Sequence, residues 1–198
     1  EISARHDKMD ALINNAGVGP GPSGVSRQLS RDGYELRFHV NYLAPALLSR
    51  LLLPLVRAAR GRIIHVASAA QEAIDFDDLM FEHNYTGMRA YARSKLATLI
   101  DAITLSEQEE TAGSGVTVNA LDPGSMLNTK MVREAMGAGY GRAEDGADAQ
   151  IFLALDNSVR EVTGKYFLQM EQTSPHIQTK DESARSTLWT ATAPLIGI

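Results

Sequence analysis

Apolar positions along the chain follow two alternating rhythms. Met9 to Asn14 is a short, continuous, mostly apolar run closed by Asn15-Ala16-Gly17, the pattern of a buried strand. Gly17 to Gly24 is rich in Gly and Pro and reads as a loop. From about Ser30 to Ala59 the rhythm changes. Leu36, Val40, Leu43, Leu47 and Leu51 recur at steps of three or four, and Leu48, Leu52 and Leu55 widen the stripe. That spacing predicts one long helix, kinked at Pro45. Gly61 stops it, and Arg62 to Ala67 is a β-branched run suited to a strand buried on both faces. A helix is predicted from about Met88 to Thr111 and a strand from Gly115 to Leu121. Another helix follows from Ala143 to Leu155, with Ala147, Ile151 and Leu155 on its apolar face. Val162 to Leu168 reads as a last strand, and Glu182 to Thr190 as a short helix anchored by Trp189. Ser125 to Gly141 carries no clear element.

Strands alternating with helices predict an α/β protein, a parallel sheet with helices on both faces. At 198 residues with 44% hydrophobic content, one domain with a real core is expected. A net charge of −5, with no basic run longer than two residues, excludes a nucleic-acid face. Zero Cys excludes disulfides and thiolate metal sites and fits the cytoplasm. No run of eighteen apolar residues is present, so no membrane span is expected. The chain opens on Glu1 and reaches a strand pattern within ten residues, so it is expected to begin partway through a longer protein.

The candidate chemistry lies in four side chains. Tyr91 and Lys95 stand four apart on a predicted helix and share a face. Ser68 closes the Arg62–Ala67 strand, and Asn41 lies inside the long apolar helix, where an amide is unfavourable without a purpose. A free phenol has a pKa near 10. Lowering it to about 7 takes roughly 4 kcal/mol of differential interaction, which a close ammonium in a partly dry site can supply. Tyr91 is then a general acid/base. Ser68, at the carboxyl end of a parallel strand, is placed to hydrogen-bond a substrate oxygen. The acidic insert Asp75 to His83 fits no metal-ligand spacing and reads as a solvated loop over Phe76, Leu79 and Phe81.

Asn14-Asn15-Ala16-Gly17, Asn41, Ser68, Tyr91, Lys95 and Pro123-Gly124 occur in the order and rough spacing of the short-chain dehydrogenase/reductase family, which the chain resembles over nearly its whole length. The Tyr91 to Ala97 stretch and Gly164-Lys165-Tyr166-Phe167 look most like its retinol-dehydrogenase-like branch. The resemblance implies a Rossmann fold and an oxidoreductase that moves a hydride between NAD or NADP, with NADP slightly favoured, and an alcohol or carbonyl substrate. It implies that Lys95 also binds the nicotinamide ribose and that Asn41 holds a water in a proton relay. It places Asn15, Ala16 and Gly17 on the adenosine side of the cofactor and Pro123 and Gly124 beside the nicotinamide. The family's Thr four residues past that Gly is Asn128 here, with Thr129 next. Self-association through the two long helices is a further expectation. Met126, Leu127, Met131, Val132, Met136 and Tyr140 in the Ser125–Gly141 segment suggest an apolar ligand.

Gly19-Pro20-Gly21-Pro22-Ser23-Gly24 matches a dinucleotide fingerprint, but its two prolines remove backbone donors, and no Asp or Glu occurs between Leu36 and Gln71. It is read as a loop. The family's glycine-rich phosphate turn precedes the Asn14–Gly17 strand, the fourth in the doubly wound order, which pairs with the first. Only eight residues precede Met9, so the expected unit is an N-terminally incomplete Rossmann-type domain over 1–198 with an open sheet edge and weak dinucleotide binding. The alternative is a non-catalytic relative serving as a binding or scaffold module, or an inactive fragment.

Overall fold

A computed structural model describes residues 1–198. Its frame is a five-stranded sheet ordered β1 (Ala11–Asn14), β2 (Arg62–Val66), β3 (Thr117–Asp122), β4 (Tyr166–Leu168) and β5 (Glu171–Thr173). The first four strands run parallel; β5 turns back antiparallel to β4. Helix α1 (Leu36–Phe38) passes through a π-turn, His39–Leu43, into α2 (Ala44–Ala59). Then come α3 (Gly87–Thr111), α4 (Lys130–Met136), α5 (Ala143–Leu155) and α6 (Glu182–Thr192).

Successive side chains of a strand point to opposite faces, and both faces of this sheet are covered. Ile63 and Val118 pack with Leu52 and Val56 of α2 and Leu99 and Leu105 of α3. Ile64 and Leu121 pack with Ala149 and Leu153 of α5 on the other side. A third apolar cluster joins Phe38, Tyr42 and Leu43 to Leu96, Ile100 and Leu188, fastening α6 to the outer side of α3. The expected doubly layered α/β architecture is therefore present. β1 has only β2 beside it, so its other edge is open, as expected.

The π-turn has a local cause. Pro45 has no N–H to bond the Asn41 carbonyl. The Ala44 N–H reaches back to the His39 carbonyl, and Thr98 Oγ1 on α3 donates to the Asn41 oxygen at 2.8 Å.

Several expectations need correction. The stripe read along the long helix is only partly the buried one. Leu43, Leu52 and Leu55 are inside as expected, but Leu48 and Leu51 are exposed, Leu51 by 61%, and Ala46, Ser49 and Val56 face inward instead. Leu is so frequent here that periodicity does not single out a face, and the sheet contacts fall partly on small residues. The face of α5 was inverted: Ile151 and Leu155 are exposed, and Gly146, Ala149 and Leu153 are inside. Leu188, not Trp189, anchors α6; Trp189 instead stacks on Arg50, whose guanidinium carbon is 3.9 Å from a ring centroid. Strand β5 and helix α4 had no clear sequence signal. The 24-residue run Leu36–Ala59 is long and apolar enough to cross a membrane, contrary to the expectation of no such segment. In this fold it lies against the sheet.

Candidate active site

Strands β2 and β3 end side by side, and α3 crosses beneath their carboxyl ends. Between them lies a cavity of about 540 Å³. Its wall includes Ser68, Tyr91 and Lys95, together with Asn15, Ala16, Gly17, Pro123 and Gly124. The expected site residues other than Asn41 thus meet around one space.

Each is fixed by its element. Thr86 caps α3, its Oγ1 accepting from the Arg89 N–H at 3.2 Å, and so starts the helix one turn before Tyr91. Lys95, only 4% exposed, donates from Nζ to the Val66 carbonyl at 2.7 Å. Its nitrogen is 5.7 Å from the Tyr91 ring centroid. Ser68 sits in the turn after β2; its Oγ accepts from the Ala70 N–H at 3.1 Å, and its carbonyl accepts from Gln71 Nε2 at 2.9 Å.

Asn41 does not line the cavity. Its side chain reads the backbone of Val18 on both sides, Oδ1 accepting from the N–H at 2.8 Å and Nδ2 donating to the carbonyl at 3.0 Å. Nδ2 also donates to Ser94 Oγ at 2.9 Å, and that hydroxyl donates to the Tyr91 carbonyl at 2.7 Å. The amide clamps the loop after β1 to α3. Gly17 sits at this crossing, where a Cβ would come within 3.0 Å of Asn41 Oδ1 and 3.7 Å of Lys95 Nζ.

The electrostatics differ from expectation. The Tyr91 phenol is pushed up from its ordinary value, first by burial and then by the Asp122 charge, with a hydrogen bond from Ser68 opposing. The Lys95 ammonium is pulled down to about 8 by burial, against the favourable charge of Asp122. The expected lowering of Tyr91 by Lys95 is therefore corrected. The dry setting that brings the two together penalises both charged forms, and the ammonium is directed at the Val66 carbonyl.

One group was missed as part of the site: Asp122, at the end of β3, has its carboxylate buried in the cavity wall. The helical form of α4 was not foreseen, but its segment was already a candidate ligand cover: Met126, Leu127, Met131, Val132 and Met136 line the cavity together with Ala135 and with Met88 of α3, whereas Tyr140 is 85% exposed and lies outside it. Thr129, not Asn128, lines the cavity, and its hydroxyl caps α4.

The Gly19–Gly24 loop is occupied by protein. Arg37 donates to the Gly19 carbonyl at 3.0 Å and the Pro20 carbonyl at 2.7 Å. Arg37 is itself held by Glu35 and Tyr85, the latter at 2.6 Å. Met131 covers Gly19 so closely that a Cβ there would meet its side chain at 2.4 Å.

A parallel sheet with this cluster at its carboxyl rim is the architecture of a dinucleotide-binding type of α/β domain. The family model for short chain dehydrogenases matches residues 1–138, and the chain belongs to that family, in its retinol-dehydrogenase-like branch. It is 36% identical to retinol dehydrogenase 13 of Homo sapiens, over 100% of this chain and 63% of that protein. It is 32% identical to retinol dehydrogenase 14 of Mus musculus, over 100% of this chain and 62% of that protein. The chain thus spans less than two thirds of these relatives' length. Among solved structures it resembles an uncharacterized protein from Mycobacterium paratuberculosis (TM-score 0.78, 25% identity, 98% of this chain and 69% of that one). It also resembles an oxidoreductase of the short chain dehydrogenase/reductase family from Brucella ovis in complex with a partially ordered NAD (TM-score 0.56, 25% identity, 84% of this chain and 67% of that one).

The nicotinamide half of a dinucleotide suits the residues present: a buried amine, a glycine left bare beside it, and an apolar wall. The pyrophosphate half does not, because in the Gly19–Gly24 loop Pro20 and Pro22 offer no N–H donor and Gly19 lies under Met131.

Proposed function

We propose that this chain is the catalytic portion of a nicotinamide-dependent alcohol/carbonyl oxidoreductase acting on an apolar small molecule. The observation that carries the reading is the convergence of Ser68, Tyr91 and Lys95 on one cavity roofed by Met131, Val132 and Met136. Nicotinamide bound there would supply the hydride for a carbonyl carbon or accept one from an alcohol carbon. Lys95, Pro123 and Gly124 are the residues proposed to hold its ribose and ring, and Gly17, expected on the adenosine side, joins them because it lies beside Lys95 Nζ.

The chain's own residues handle the oxygen. Burial keeps the Tyr91 phenol protonated, which suits a proton donor to a carbonyl oxygen that gains charge. Ser68 offers that oxygen a second hydrogen bond. Because its contribution opposes the rise of the phenol, it also eases proton release. Asn41 is proposed to act by holding Val18 and Ser94, and so the floor under Tyr91. Apolar side chains over the opening exclude water.

The complete gene product, assayed with NADH and NADPH against a panel of long-chain and cyclic carbonyls and the matching alcohols, should turn over at least one pair. Absence of turnover with both cofactors across the panel would favour a binding module that kept the fold.

A further inference from the structure

Asp122 is a buried carboxylate that no short-chain chemistry described above employs. It is 3% exposed and stands at the end of β3, in the wall of the cavity. No Lys, Arg or His forms an ion pair with it within 4.0 Å. A carboxylate held out of water without a paired cation is destabilising unless backbone donors and a nearby positive charge compensate.

Both compensations are visible. Oδ2 accepts from the Ala69 N–H, in the turn that begins with Ser68. Oδ1 accepts from the Gly124 N–H at 2.6 Å, in the turn that begins with Pro123. One side chain therefore ties together the two turns that shape the cavity. Gly124 takes a φ of +110, which an L side chain rarely adopts, so the Gly124 N–H is aimed by a backbone only glycine accepts readily. The titratable groups that sense Asp122 come from two elements: Tyr91 and Lys95 on α3 and Tyr166 on β4. Lys95 is the one cation among them. It also faces His65 on β2, a neutral neighbour held down to about 4.

We propose that Asp122 is a positioning residue of this site, locking the Ser68 turn to the Gly124 turn and supplying the buried counter-charge for Lys95. It acts through the turns and the ammonium that it holds. The proposal rests on the oxidoreductase reading for its purpose, but the arrangement is testable without turnover. With Asp122 charged, Lys95 keeps its proton up to about 8 despite burial. Without it, burial acts alone and Lys95 loses its proton at lower pH.

The test is a pH titration of the Lys95 ε-carbon by NMR in the cofactor-free protein, the signal assigned by its loss in Lys95→Arg. Asp122→Asn and Asp122→Ser both remove the charge while keeping an acceptor for one backbone N–H. In either folded variant the Lys95 midpoint should fall below that of the wild type, and the Ala69 and Gly124 amide signals should move. An unchanged midpoint overturns the proposal. Failure of both variants to fold would confine Asp122 to the fold and also overturn it. Because no reaction is assayed, the result stands whether or not the protein proves to be an oxidoreductase.

Discussion

Lys95 Nζ donates to the Val66 carbonyl at 2.7 Å, so the only ammonium in the cavity wall is bonded to the very strand that leads into Ser68. This places a charge where burial opposes it. The folded-state pKa falls from 10.5 to about 8. Below that value folded and unfolded chains both hold the proton, and the penalty is complete. Between about 8 and 10.5 the unfolded chain binds more protons, so stability rises with pH through that window. Lys95→Met should abolish the rise. At neutral pH it should stabilise the fold by about 1 to 2 kcal/mol, the relief of a buried charge less the lost bond to Val66. Urea unfolding across pH measures both effects.

His65 predicts the opposite edge of the pH range. It is fully buried, and its imidazole is pushed down to about 4, chiefly by burial. Its Nε2 has no hydrogen-bond partner, and Asn14 Nδ2 lies 3.5 Å from Nδ1. The unfolded chain takes up this proton near 6.5 while the folded chain resists to about 4. The stability due to neutral His65 is whole above 6.5 and drains away as pH falls toward 4. It amounts to on the order of 3 kcal/mol. The difference in unfolding free energy between wild type and His65→Leu should carry this pH dependence; a flat difference would refute it.

The Asn41 carbonyl, deprived of a helical partner by Pro45, is served by Thr98 Oγ1. Thr98→Val should cost about 1 to 3 kcal/mol by leaving that oxygen unsatisfied. In the Pro45→Ala background the restored N–H can take over, so the same substitution should cost less. A double-mutant cycle should return a coupling of about 1 kcal/mol.

Dinucleotide affinity separates the two halves of the site. In the 198-residue chain no free glycine-rich turn faces the open edge of β1, and the Gly19–Gly24 loop is engaged by Arg37. Calorimetry on this chain should therefore show no saturation by NAD(H) or NADP(H) at micromolar concentration.

The parallel sheet was legible because its strands are continuous apolar runs separated by helical rhythm. Ser68, Tyr91 and Lys95 were legible because residue type and spacing survive translation into a shared rim. Asn41 was found as an amide in an apolar helix, but its engagement with Val18 depends on the π-turn, which periodicity cannot foresee. Asp122 was hidden because Asp-Pro-Gly looks like any turn; only packing reveals that its carboxylate faces inward. Part of the face of α2 and the whole face of α5 were misassigned because both helices carry aliphatic residues beyond the buried side, so that contact with the sheet, rather than the period, chooses it. The electrostatics at Tyr91 required depth of burial, which spacing alone does not contain.

The phenol of Tyr91 carries the proposed chemistry, and removing its one oxygen is the most direct trial. In the complete gene product, Tyr91→Phe should lower kcat by about a hundredfold or more, the range expected for loss of a general acid, while dinucleotide affinity stays within about twofold, since a twofold change is well under 1 kcal/mol. Turnover equal to wild type at undiminished affinity would contradict the assignment.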